Sequence, residues 1–295
     1  AGRWADARSA AQETLADLAV RSAHKAEAAD RLADLNLRLE DVSGALAARR
    51  RAWSCGPTRV RLLALASAGR AAGVQSEVLV DEADALLAAG RPVTDRLGCE
   101  LLLLAGRLDD AVSALRSSNP LGWSRATHPG PVVLPFLWAA ALGAAPAEAS
   151  HVGRMFADID RDRDPLGLFD PWIPTGGDPS GRDGRSDDAT LSLTTLLVDV
   201  VRSLDVDADR RDRYLGIAAE VADARINAIV SGKHRGAYER AAQLAHAHAE
   251  ILTSIGRVDE GRVYLAAVRG RFPRHVAFRG ELDAAAKASA RDARR

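Results

Sequence analysis

From about Ala5 to Trp53 the chain runs without proline and with a single glycine, Gly44. Such a stretch lacks the two residues that most readily interrupt a helix. As one helix it would reach roughly 70 Å at 1.5 Å per residue. Leu32, Leu35, Leu39, Val42 and Leu46 recur at spacings of three and four, which is a heptad seam. The seam lasts only about two heptads, fewer than a coiled coil needs, and Leu15 and Leu18 fall partly out of its register. Two readings stay open: one long N-terminal helix over 1–53, or a pair of helices meeting near Asp30 as an N-cap.

Beyond Gly56-Pro57, Thr58 can cap the next helix, and short apolar runs separated by glycine follow. Alanine is the commonest residue, with leucine and arginine also abundant. All three lose little side-chain freedom in a helix. Aromatics are only 4% of the chain, and alternating runs of Val, Ile and Thr are few. The fold class expected is all-α. The tripeptide Ala-Gly-Arg recurs at 68–70, 89–91 and 105–107, each time after an apolar run, where glycine is expected at C′ to close a helix.

Leu101–Arg116 (LLLLAGRLDDAVSALR) and Ile251–Arg269 (ILTSIGRVDEGRVYLAAVR) share one pattern. An apolar helix ends at Gly106 or Gly256, and Leu108 or Val258 follows two positions on. Asp109 or Asp259 then stands as the expected N-cap, and a small residue, Ala111 or Gly261, comes where the second helix would pack on the first. This is a tight αα-hairpin. It resembles the hairpin of tetratricopeptide-type repeats, which implies an array of antiparallel helical hairpins. Gly69, Gly90 and Gly106 are spaced by 21 and 16 residues rather than by that family's regular period, so no true repeat is implied. A second stretch, Ala237–Leu282, resembles the C-terminal helical region of bacterial SWIM zinc-finger proteins. That family is named for a Cys/His zinc motif that this chain does not carry, so the resemblance implies no metal role here.

The domains expected are the N-terminal segment 1–53, a hairpin domain over 54–159, a flexible Asp/Arg/Gly/Pro-rich loop over 160–188, and a C-terminal hairpin domain over 189–295 with a basic tail. Phe169 and Trp172 are expected to pin the early part of that loop. Asn119–Pro135 holds four prolines and reads as a structured loop before an apolar helix at about Val132–Gly143. Later helices are expected at about Ala189–Leu204, Arg211–Val230, Gly236–Ile255, Asp259–Arg271 and Val276–Arg291.

Forty basic and forty acidic side chains leave no net charge, which excludes a general electrostatic affinity for nucleic acid or anionic membrane. No apolar run is long enough to span a bilayer, so no membrane partner is expected; the longest, around 131–145, contains Pro135. Cys55 and Cys99 share no motif and read as small buried hydrophobes, in keeping with a cytoplasmic, reducing setting. The chain opens at Ala1 rather than Met, as expected of a processed product or of a piece of something longer.

Candidate chemistry is sparse. Asp158, Asp160, Asp162 and Asp164 alternate as in the first half of a calcium loop, but the positions needing Gly and a bidentate Glu hold Arg163 and Phe169. His246 and His248 lie two apart on a helix, point about 200° from each other, and are expected on its surface rather than on a metal. No metal and no cofactor are expected, and nucleotide-binding and nucleophile-elbow motifs do not occur. His128, with Trp123 and Trp138 nearby, could form a ligand pocket with a general base, or the loop could be a rigid plug. Residues 269–295 carry a local surplus of five positive charges, with Arg269, Arg271, Arg274 and Arg279 as candidate nucleic-acid contacts. The leading expectation is a non-catalytic scaffold for a protein partner. The alternatives are a nucleic-acid-associated helical module and a small-molecule binder or enzyme using the 119–138 loop.

Overall fold

The computed structural model describes residues 2–17, 23–90, 93–161 and 191–292. They form fourteen α-helices and two short 3₁₀ turns, and among the described residues there is no strand. The fold is all-α. No helix among them is long and apolar enough to cross a membrane. The chain divides into two compact units, Ala1–Ala111 and Val112–Arg295.

Unit 1 holds α1 (Gly2–Asp17), α2 (Ala23–Arg38), α3 (Val42–Cys55), α4 (Arg59–Ala71), α5 (Gln75–Ala88) and α6 (Arg96–Leu104); α7 (Leu108–Ser117) begins in it. Among the described residues the N-terminal segment holds three helices, and Asp30 lies within the second rather than at a junction between two. The α2–α3 turn falls inside the heptad seam, between Leu39 and Val42. Asn36 O accepts the Asp41 N–H (2.9 Å), Glu40 takes a left-handed φ of 59°, and Asp41 caps α3 through the Gly44 N–H (2.8 Å). The helices then meet through alanine. Ala26, Ala29 and Ala33 on α2 and Ala45, Ala48 and Ala52 on α3 are all buried, whereas of the five seam residues only Leu32 is. Methyl-sized side chains let helix axes come to the short end of the usual range of about 8–10 Å.

The principal packing in unit 1 is between helices adjacent in sequence. Alternate helices are tied by arginine–carboxylate pairs. Arg61 Nε binds Asp30 Oδ2 (2.8 Å) between α4 and α2, Arg50 binds Glu82 (2.9 Å) and Asp81 (3.0 Å) between α3 and α5, and Arg59 binds the buried Glu100 between α4 and α6. Arg107, just before α7, pairs with Asp84 of α5. Asp30 is therefore a mid-helix carboxylate that receives Arg49 and Arg61 rather than a cap. Of the three Ala-Gly-Arg glycines, Gly90 and Gly106 have positive φ (66° and 71°) after their helices. Gly69 lies inside α4, where a Cβ would meet the Gln75 backbone at 3.0 Å; Gly73, φ 73°, closes that helix instead.

Unit 2 is organised differently. It contains the rest of α7, then α8 (Gly130–Leu142), α9 (His151–Arg161), α10 (Leu193–Ser203), α11 (Ala208–Ser231), α12 (Tyr238–Ser254), α13 (Val258–Arg271) and α14 (Val276–Asp292). α8 is apolar around its whole circumference and is buried from Val132 to Ala141. A helix without a polar face must be covered on every side, and α9, α10, α11 and α12 all pack on it. Helices on both sides of residues 162–190 thus share one core, and the division into two units falls at Ala111/Val112. Residues 162–190, with Phe169 and Trp172, lie outside the described residues. α12 is the second hub and touches α8, α9, α11, α13 and α14.

The two matched hairpins share their turn. Arg107 N–H bonds Leu102 O and Arg257 N–H bonds Leu252 O, both at 2.8 Å, while Gly106 and Gly256 bond the carbonyls of Leu103 (3.1 Å) and Thr253 (3.0 Å). These are Schellman closures, with Gly256 at φ 88°. The helices that follow start one residue earlier than expected, at Leu108 and Val258. Asp109 and Asp259 stand in the first turn, where a carboxylate meets the positive helix end, rather than at the cap. Gly261 does provide the close approach, since a Cβ there would stand 2.9 Å from Ala249 O.

Candidate functional site

Trp123 and His128 are brought together in the loop before α8. The His128 Nε2–H donates to Asn119 O (3.0 Å), and its Nδ1 accepts the Gly130 N–H (2.9 Å). Both ring nitrogens are thereby committed to backbone, in one neutral tautomer, and burial lowers the pKa further. The ring packs so closely on Gly122 that a Cβ there would come within 2.7 Å of it, and the indole of Trp123 packs equally tightly on Gly130. Arg225, buried on α11, donates to Pro120 O (2.5 Å) with its guanidinium carbon 5.5 Å from the centre of the Trp123 ring. Of the two readings of this loop, the geometry is that of the plug. A shallow groove of about 70 Å³ runs beside it, between Trp123, Pro120 and Glu220.

Trp138 belongs elsewhere. It is fully buried on α8, and its Nε1–H donates to His248 Nδ1 (3.2 Å), which leaves no indole surface for a partner. Because an indole nitrogen can only donate, His248 Nδ1 must be unprotonated. Burial drives the His248 pKa down from 6.5 to about 4. Its ring lies 4.6 Å from that of Tyr264, whose hydroxyl donates to Asp223 Oδ1 (2.9 Å); Asp223 Oδ2 accepts from Arg271 (2.7 Å). His246, two residues earlier, donates from Nε2 to Leu282 O (2.9 Å) and stacks on His151 at 5.6 Å. Glu250 accepts both the His151 backbone N–H and its Nδ1–H at 2.8 Å, fixing the start of α9. His246 and His248 are therefore buried, not on the surface as expected. They do point apart, but α12 is covered on both faces.

The basic residues near the C-terminus are partly neutralised. Arg269 pairs with Asp283 (2.5 Å) and Arg271 with Asp223, while Arg279 reaches Pro273 O at 3.4 Å. Arg274 is exposed. Asp160 turns both carboxylate oxygens towards the Thr194 N–H at the start of α10 (3.3 and 3.4 Å). Asp162 and Asp164 lie outside the described residues.

A second opening lies in unit 1. A cleft of about 430 Å³ is lined by Lys25 of α2, Arg50, Arg51 and Ser54 of α3, and Glu82 of α5. Arg50 and Arg51 are adjacent in sequence, but Lys25 and Glu82 join them only through helix packing, so no linear motif marks the set. The chain matches no protein-family model, and neither a curated protein nor a solved structure shows significant similarity to it.

Proposed function

We propose that this chain is a non-catalytic helical scaffold that binds a protein partner. The observation that carries the reading is the build of unit 1: helices packed chiefly on their neighbours in sequence, with alternate helices tied by Arg61–Asp30, Arg50–Glu82, Arg59–Glu100 and Arg107–Asp84. Serial helix packing of this kind gives an extended surface relative to chain length, the surface on which helical-repeat proteins dock peptides and helices. The tetratricopeptide-like turns at Gly106 and Gly256 support the same reading. Neither alternative gains an observation of its own: both nitrogens of His128 serve the backbone, and Arg269 and Arg271 are spent on carboxylates.

The test is affinity capture of the full chain from its source cell, with and without nuclease, read by mass spectrometry and repeated with the purified candidate. A stoichiometric protein that survives nuclease and rebinds in purified form is the expected result. Recovery of nothing, or only of nuclease-sensitive material, overturns the scaffold.

A further inference from the structure

We propose that the outer face of α13 docks antiparallel on α13 of a second copy of this chain. α13 is apolar on two opposite sides. Gly261 and Val268 are buried, with Tyr264 and Leu265 half-buried beside them, on the side that packs against α12. Across the helix from these, Val263, Ala266, Ala267 and Gly270 follow the i, i+3, i+4, i+7 spacing of a core-facing stripe. All four are exposed, Val263 by 67%. A surface helix ordinarily turns charged and polar residues to that side, and one that is apolar on both sides is covered on both. Within the chain the principal neighbour of α13 is α12, which accounts for one side. Gly270 points the same way. A Cβ there would meet nothing within 4 Å, so no contact inside the chain calls for glycine, which weakens a helix relative to alanine. A second helix approaching closely from outside does call for it.

The occupant follows from one register. When two copies of α13 meet antiparallel about a two-fold axis between Ala266 and Ala267, Val263 of each copy lies over Gly270 of the other. Ala266 then meets Ala267, and Asp259 of each copy stands opposite Arg274 of the other. Bulk against gap and acid against base in the same alignment is the self-complementarity that an isologous two-fold contact requires. The charges are available for it. Arg274, in the turn after α13, is exposed and makes no ion pair among the described residues. The Asp259 side chain is 93% exposed and touches only Arg262, itself 77% exposed, at 3.4 Å; a solvated pair of this kind contributes little. Arg269 and Arg271, held by Asp283 and Asp223, play no part in the count. Antiparallel alignment also sets the positive end of each helix beside the negative end of the other. Unit 1 uses the same close packing internally, where α2 and α3 meet on buried alanines. A stripe two turns long falls short of the roughly 800 Å² per partner of a standard interface, so the dimer is weak and reversible. The contact does not rest on the scaffold reading, since a dimer forms whether or not a different protein binds elsewhere.

The experiment is sedimentation velocity of the full chain from about 1 μM to about 1 mM, a range that brackets micromolar and weaker association. A reversible monomer–dimer equilibrium is expected, and it should stop at the dimer because a two-fold contact is closed. Val263→Asp should weaken dimerisation by about tenfold or more, because it carries two carboxylates into the contact. It should leave thermal unfolding of the monomer unchanged, because the side chain is solvated there. Asp259→Arg and Arg274→Asp should each weaken dimerisation severalfold by setting like charges opposite each other. Combined in one chain they should restore it, since each pair is then reversed rather than broken, a rescue that loss of helix stability would not produce. A chain that stays monomeric throughout the range leaves the stripe to a different protein and overturns the proposal. Growth beyond the dimer, a dimer indifferent to Val263→Asp, or a double swap no tighter than the single variants overturns it as well.

Discussion

Acid should loosen unit 2 through His248 before it affects most carboxylate pairs. In the folded chain Nδ1 of His248 accepts from Trp138 and burial holds its pKa at about 4, against an ordinary 6.5. The folded pKa lies below the unfolded one, so the unfolded chain binds the extra proton between these values. Stability is full above pH 6.5, falls as pH drops towards 4, and then levels off. The difference is worth about 3 kcal/mol at pH 4, at 1.36 kcal/mol per pH unit. The partner groups agree with this sign. Trp138 offers only a donor, and Tyr264 stays a protonated phenol because burial and Asp223 raise its pKa; only Asp223 pulls the imidazole the other way. His248→Gln keeps an acceptor for the indole and removes the titration. The stability gap between the parent chain and this variant, from urea unfolding followed by exchange of α12 amides, should shift by about 3 kcal/mol in the variant's favour between pH 7 and pH 4. His128 and His246 have pKa values lowered by burial and add slope of the same sign, but they cancel in the difference. An NMR titration of the His248 ring with a midpoint near 6.5, or a gap independent of pH, would refute the reasoning.

Other outcomes follow from local geometry. Gly261→Ala drives a methyl against Ala249 O and should lower stability by about 1–3 kcal/mol. Gly270→Ala on the same helix meets nothing within 4 Å and should be neutral or raise stability by up to about 1 kcal/mol; thermal unfolding separates the two. Glu40 and Lys233 occupy left-handed C′ positions, with φ of 59° and 56°, so Glu40→Gly and Lys233→Gly should each stabilise by about 1 kcal/mol; a lower unfolding midpoint for both would contradict the closure geometry. Cys99 is fully buried with its pKa pushed up to about 12, while Cys55 is partly exposed. A thiol reagent at pH 8 should modify Cys55 in the native chain and Cys99 only after denaturation, as peptide mass mapping would show.

The sequence by itself determined the helices and most of their ends. Alanine and leucine periodicity, Gly106 and Gly256, and the acidic residues after them act within one turn of the chain, so their reading needs no neighbours. Even the missed break at Glu40–Asp41 is local, signalled by an aspartate three residues before Gly44; the heptad spacing of leucines hid it because it continues across the turn. Tertiary structure decided what each helix faces. That α2 and α3 meet on alanines, that Asp30 is an ion-pair partner, and that His246 and His248 are interior follows from which surfaces are covered. The same holds for the core of unit 2, where the all-round apolar α8 draws helices from both sides of 162–190 onto itself. Lys25, Arg50, Arg51 and Glu82 form one cleft for the same physical reason: helix packing sets distances between residues far apart in sequence, and hydrogen bonding along the backbone carries no information about them.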